Sequence, residues 1–105
     1  MFHEALKGIR IADFSWVWAG PYATSLLSYM GAEVIKVEDT GRGDFCRHDE
    51  PVMQGESYYF TALARNKKSL SVNLKSDEGK EIFYRLARKA DVILESFRPG
   101  VTNRL

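Results

Sequence analysis

Short strand-like segments alternate with helix-like ones along this chain, and that alternation restricts the fold more than any other feature. Residues 9–14 (IRIADF) are mostly apolar and partly β-branched, as a strand requires. Pro21 has the fixed φ that suits a first helical position, and Gly31 stands where a closing glycine belongs. Between them Tyr22, Ala23, Leu26, Leu27 and Met30 recur at three-to-four spacing and read as the buried stripe. Residues 34–38 (VIKVE) form a second strand. A third covers 70–74, with Leu70, Val72 and Leu74 on one face, and a fourth covers 92–94. Ser76 can cap the intervening helix, whose dipole is complemented by Asp77 and Glu78 at its start and Arg85, Arg88 and Lys89 at its end. Ile82, Phe83, Leu86, Ala87 and Ala90 are its expected buried stripe. This order predicts an α/β fold with right-handed βαβ crossovers on a parallel sheet.

Residues 39–68 break the pattern. Gly41, Gly43, Pro51 and Gly55 mark an irregular excursion, with a short helix expected near 57–63. A connection of that length is either functional or in need of a partner surface. Residues 101–105 resemble the opening of one more helix. The 105 residues, 45% apolar and 28% charged, have the composition of one soluble globular domain, yet the elements read as residues 1–105 of a partial domain within a longer fold.

Several function classes are disfavoured. Residues 14–32 are uncharged for long enough to span a membrane, but Gly20-Pro21 interrupts them and Ser15, Thr24, Ser25 and Ser28 dilute them, so no membrane role is expected. No apolar core of an export signal is visible in residues 1–10. One cysteine, Cys46, excludes an intrachain disulfide framework and a Cys-rich zinc site; a cytoplasmic protein without a metal is expected. The formal net charge of +1 argues against nucleic acid as a partner. That balance conceals an asymmetry: residues 1–57 carry five basic and nine acidic side chains, residues 58–105 ten and five. An anion would be held in the second half.

In an open parallel sheet, ligands bind beyond the carboxyl ends of the strands. That rule selects residues 15–20, 39–44, 73–76 and 96–104. Lys75, Arg98 and Arg104 lie there as cations able to converge on phosphates, against the plain reading of solvated loop charges. Trp16 and Trp18 flank Val17 as flat surfaces for stacking, or as core. Arg65, Lys67 and Lys68 precede the third strand, at the wrong end for a site, and read as a solvated basic run. Cys46 and His48 have no third group to orient them as a nucleophilic pair. Arg42-Gly43-Asp44 reads as a turn in which Gly43 supplies conformational freedom and Asp44 caps the next residues. A dinucleotide fingerprint fails sterically: residues 15–21 hold one glycine where three are needed, and two tryptophans where the backbone would approach a pyrophosphate.

Taken in order, Leu6-Lys7-Gly8-Ile9-Arg10-Ile11, Asp13-Phe14, Ala19-Gly20-Pro21, residues 31–38 (GAEVIKVE), Gly43-Asp44, Arg47, residues 66–69 (NKKS), Leu74-Lys75, Glu78-Gly79 and residues 90–100 (ADVILESFRPG) resemble the N-terminal part of class III CoA-transferases. That family includes formyl-CoA and carnitine CoA-transferases and α-methylacyl-CoA racemase. The resemblance implies a Rossmann-like large domain that binds the nucleotide part of coenzyme A, with CoA as substrate. It further implies transfer of CoA between an acyl-CoA and a carboxylate acceptor through an aspartyl-CoA intermediate, in an interlocked homodimer. The nucleophilic aspartate is expected beyond Leu105, so no catalytic residue falls in this chain. Carried over position by position, Val17, Trp18 and Ala19 match the loop against the thioester. Val72 and Lys75 match the adenosine contacts, and Ser96, Phe97, Arg98 and Arg104 match the segment holding adenine and phosphates. Trp18 replaces a glutamine of some members, which makes a bulkier acyl group conceivable. Asp39 replaces an arginine and is left out of the site, since a carboxylate repels phosphate. The alternatives are the racemase branch, disfavoured by the long connection 45–68, and a CoA-binding module without chemistry.

Overall fold

The computed structural model describes residues 4–105; residues 1–3, part of the segment read for an export signal, lie outside the described residues. Strand β1 (Arg10–Asp13) runs into helix α1 (Ala19–Tyr29), which Gly31, at φ 101°, closes before strand β2 (Glu33–Glu38). The long connection contains a 3-10 turn at Phe45–His48, a small antiparallel pair of β3 (Val52–Met53) and β4 (Glu56–Ser57), and helix α2 (Tyr58–Leu63) capped by Ser57. Strand β5 (Lys67–Ser71), helix α3 (Asp77–Ala87), strand β6 (Val92–Leu94) and helix α4 (Val101–Arg104) complete the chain. The parallel sheet has the order β5-β2-β1-β6. The strand order therefore reverses its progression between β1 and β6, and that break is where a ligand crevice forms in such sheets.

Two cores flank the sheet. On the α3 side, Ala12, Phe14, Val37 and Val72 are buried against Leu70, Leu74, Phe83, Leu86 and Ala90. On the α1 side, Ile11, Ala32 and Val34 pack with Leu6, Ile9 and Leu27. The alternation of Ile11 with Ala12 between the two cores follows from the two-residue period of a strand.

Four expectations require correction. The third strand lies three residues earlier than 70–74, because β2 pairs Val34 with Lys67 through Glu38 with Ser71. Leu70, Val72 and Leu74 do share the α3-side core, so apolar alternation reported the face and not the ladder. Lys67 is consequently no solvated charge: its side chain is 1% exposed. Helix α3 keeps Ser76 as its cap, accepting from the Gly79 N–H at 3.0 Å, but Ile82 is exposed, one position off the stripe that meets the sheet.

The largest departure is α1. Its buried positions are Pro21, Thr24, Ser25 and Ser28, whereas Tyr22, Leu26 and Tyr29 are exposed, Tyr22 by 54%. The cause lies in the sheet beneath. The strands turn Asp13 and Lys36, near their carboxyl ends, and Lys67, at the start of β5, to the α1 side. Buried charges need hydrogen-bonding neighbours, and α1 supplies the Thr24 hydroxyl and the Pro21 carbonyl to Asp13 and Lys67, whereas the Ser25 and Ser28 hydroxyls donate to Leu63 O and Ser25 O.

Candidate functional site

The four strands deliver their following loops to one end of the sheet. There a cavity of about 270 Å³ is lined by Phe14 and Trp16 after β1, Val37, Glu38 and Asp39 at the end of β2, Val72, Asn73, Leu74 and Lys75 after β5, and Phe97 after β6, with Leu105 at its margin. A neighbouring hollow of about 200 Å³ continues over Phe83, Tyr84 and Ile93 and shares Phe14, Leu74, Phe97 and Leu105 with it. Trp16 fills the break between β1 and β6. Its ring meets Phe97 edge-on at 5.8 Å and Phe45 at 5.6 Å, and its backbone N–H donates to Ser96 Oγ at 3.2 Å. The indole Nε1–H is enclosed and has no acceptor among the described residues, an orphan donor.

The turn after β5 is built as tightly. Asn73 O accepts from Ser76 N at 3.1 Å, and a Cβ on Gly79 would lie 1.8 Å from that carbonyl oxygen, so only glycine lets α3 start this close. The close approach fixes Asn73 and Lys75 on the cavity wall.

Beneath the loop after β1 lies a network of buried ions. Lys67 Nζ donates to Thr24 Oγ1 (2.7 Å), Pro21 O (2.9 Å) and Asp13 Oδ2 (3.3 Å), and Thr24 and Ser15 hydroxyls donate to Asp13. Burial pulls the Lys67 ammonium pKa down, against the Asp13 charge that supports it. A second pair, Lys36 and Asp44, is joined at 2.7 Å with both side chains almost fully enclosed. Cys46 is buried beside it, and its thiol pKa is pushed up to about 11 by burial and by the Asp44 charge. That thiol is no nucleophile. His48 bonds Arg42 O instead of facing it.

Glu38 binds the long connection to the sheet. Its carboxylate accepts from Arg47 Nε (2.7 Å) and Nη2 (2.8 Å) and from the Asp44 N–H (2.7 Å). Gly43 passes so close, at φ 72°, that a Cβ there would meet Glu38 Oε2 at 2.7 Å, and Asp44 caps the 3-10 turn as the sequence predicts. Burial alone would raise the Glu38 pKa, but Arg47 and the Asp44 N–H outweigh it and hold the carboxyl below its ordinary 4.5. The unfolded chain then takes up this proton first. The stability from Glu38 is therefore complete above about pH 4.5 and is lost as pH falls through the lower folded value. Glu38→Gln is expected to flatten this acid limb in thermal unfolding followed against pH; an unchanged limb would count against the assignment.

Of the residues singled out by sequence, Val72, Lys75 and Phe97 line the cavity, and Ser96 ties its two sides together. Val17, Trp18 and Ala19 are exposed and stand outside the lining, in the loop that follows Trp16, with Trp18 packing edge-on against Tyr59 at 5.0 Å. Arg98 and Arg104 are exposed and stand outside the lining. Asp39, which electrostatics alone would keep out of the site, does line it; hydrogen bonds from Gly43, Gly41 and Arg42 N–H groups, with the Lys75 charge, keep its carboxyl pKa low. Trp16 is legible from sequence as a stacking surface. Lys36 is the residue that such reasoning misses, although a lysine inside a β-branched strand is itself a signal.

A strand-end cavity walled by aromatics, with a lysine in its lining, is a setting for a nucleotide. The family described as CoA-transferase family III matches residues 6–105. The chain belongs to CoA-transferase family III. It is 45% identical over 103 residues to a formyl-CoA:oxalate CoA-transferase of Bradyrhizobium sp. (strain ORS 278), covering 97% of this chain and 24% of that protein. An acyl-CoA transferase of Fusarium pseudograminearum is 46% identical over 112 residues, with 96% and 24% covered. Among solved structures, the Rv3272 protein of Mycobacterium tuberculosis superposes with a TM-score of 0.86 at 42% identity, covering 96% of this chain and 27% of that one. A CAIB/BAIF family protein from Brucella suis gives 0.86 at 34% identity, with 94% and 27% covered. The chain thus spans about a quarter of the length of these family III relatives.

Proposed function

We propose that these residues are the nucleotide-holding part of an acyl-CoA:carboxylate CoA-transferase. The observation that carries the reading is the cavity at the β1/β6 break, where Trp16, Val72, Phe97 and Lys75 meet at the carboxyl ends of the strands of a family III chain. The adenine lies against Trp16 and Phe97. Lys75 holds phosphate oxygens as a point charge, with Arg98 and Arg104 closing from the adjacent segment once the substrate is present. Asp39 sits beside them with one oxygen occupied by Gly41 and Gly43, and takes hydroxyl groups of the ribose instead of phosphate. Val17, Trp18 and Ala19, in the loop after β1, face the thioester, and the exposed indole of Trp18 suits a larger acyl group than formyl.

The chemistry is displacement at the thioester carbonyl. A carboxylate of the protein, outside these residues, attacks that carbon and releases CoA thiolate, leaving a mixed anhydride; the thiolate attacks the protein's own carbonyl in it and expels the donor acid as carboxylate, giving an aspartyl-CoA thioester. The acceptor carboxylate then displaces CoA thiolate from that thioester, and the thiolate attacks the acceptor's carbonyl, forming the new acyl-CoA and freeing the protein carboxylate. No metal is needed for these steps. An interlocked homodimer in the cytoplasm accords with the exposed Tyr22, Leu26 and Tyr29 of α1, which a second copy would cover, and with the single buried thiol.

The test is an exchange assay on the protein at its natural length, given an acyl-CoA and an isotopically labelled carboxylate. Label is expected in the CoA thioester, with little free CoA released. Exchange of the proton next to the thioester carbonyl with solvent, without transfer of label, would replace this reading by the racemase one.

A further inference from the structure

We propose that Asp44, neutralised by Lys36, is a positioning residue for the loop after β1. It holds Val17 in a left-handed backbone conformation and so sets how Trp18 and Ala19 are presented. The proposal rests on the reading that this loop faces the thioester.

Val17 has φ 72°, a region that a β-branched residue adopts only when its surroundings impose it. The imposition is visible atom by atom. Asp44 Oδ1 accepts from the Val17 N–H at 2.9 Å and from the Cys46 N–H at 3.0 Å, and Cys46 Sγ–H donates to Val17 O at 2.7 Å. Both polar groups of the strained residue are thereby held by one short segment of the long connection. Asp44 Oδ2 accepts from Lys36 Nζ at 2.7 Å, and the same ammonium donates to Ser15 O at 3.1 Å. The ion pair therefore grips the loop on both sides of Trp16, at Ser15 and at Val17. Its side chains are 4% and 1% exposed, and neither lines the cavity, so the pair acts on substrate only through the loop. A salt bridge buried this deeply adds little stability compared with apolar replacements of its shape. Its specific contribution is an acceptor fixed under Val17.

Removing one partner alone would leave a buried, unpaired charge, so both are changed together in the protein at its natural length. In K36M/D44A the acceptor under Val17 is gone and no charge is orphaned; in K36M/D44N the amide oxygen can still accept from Val17. For K36M/D44A we expect amide exchange over residues 16–19 to quicken about tenfold or more, while 11–14 and 34–37 keep their protection. Turnover with acyl-CoA is expected to fall about ten- to a hundredfold at an unchanged KM. K36M/D44N is expected to restore most of both. Unchanged exchange over 16–19 in K36M/D44A, or loss of protection throughout the sheet, would overturn the proposal. A wild-type protein that exchanges no label in the transfer assay would overturn the transferase reading instead, and the exchange of residues 16–19 would still decide whether Asp44 positions the loop.

Discussion

Asp13→Ala is expected to destabilise the protein by about 3–5 kcal/mol, the range for breaking a buried ion pair by removing one partner. Asp13 is fully buried and accepts hydrogen bonds from the Ser15 N–H (2.9 Å), the Ser15 and Thr24 hydroxyls and Lys67 Nζ. Alanine would leave the Lys67 ammonium enclosed, with only Pro21 O and Thr24 Oγ1 to solvate it. Against a typical total of about 5–15 kcal/mol, that loss is a large fraction of the whole. The compensating variant makes the cause testable. Asp13→Leu together with Lys67→Met removes both charges and is expected to regain most of the loss in urea unfolding. If Asp13→Ala alone cost less than about 1 kcal/mol, the network would be peripheral to the fold.

Trp16→Ala is expected to weaken CoA binding by about ten- to a hundredfold, since stacking of one base on an aromatic side chain contributes about 1–3 kcal/mol. The mutation removes the ring that meets both Phe45 and Phe97, and with it the wall of the cavity at the β1/β6 break. Trp16→Phe keeps an aromatic face but loses the indole N–H, and an intermediate affinity is expected. Equal affinities for all three proteins in a calorimetric titration would show that the nucleotide lies elsewhere.

Much of this is legible in residue order. The alternation of elements, the caps at Ser76 and Gly31, and the turn at Gly43-Asp44 all depend on local chemistry, and a sequence exposes local chemistry directly. The family is legible too, through motifs spread over the whole chain. What escapes is long-range. Lys67 reads as a solvated base until β5 is paired against β2, which turns it under α1 towards Asp13, 54 positions away in the chain. The same pairing bears on why α1 shows its apolar face to solvent: Asp13 and Lys67 beneath it bond Thr24 and Pro21, which must face in, and hydrophobic spacing carries no record of them. Asp39 escapes for a related reason, since its charge by itself says nothing of the N–H groups that hold it in place.

Titration of coenzyme A into the protein at its natural length, by calorimetry with NAD as competitor, tests the central claim most directly. The account predicts one CoA per chain, displaced only weakly by NAD, with an affinity that falls in Lys75→Ala and becomes less dependent on salt as one phosphate contact is lost. Absence of CoA binding, or efficient displacement by NAD, would contradict it.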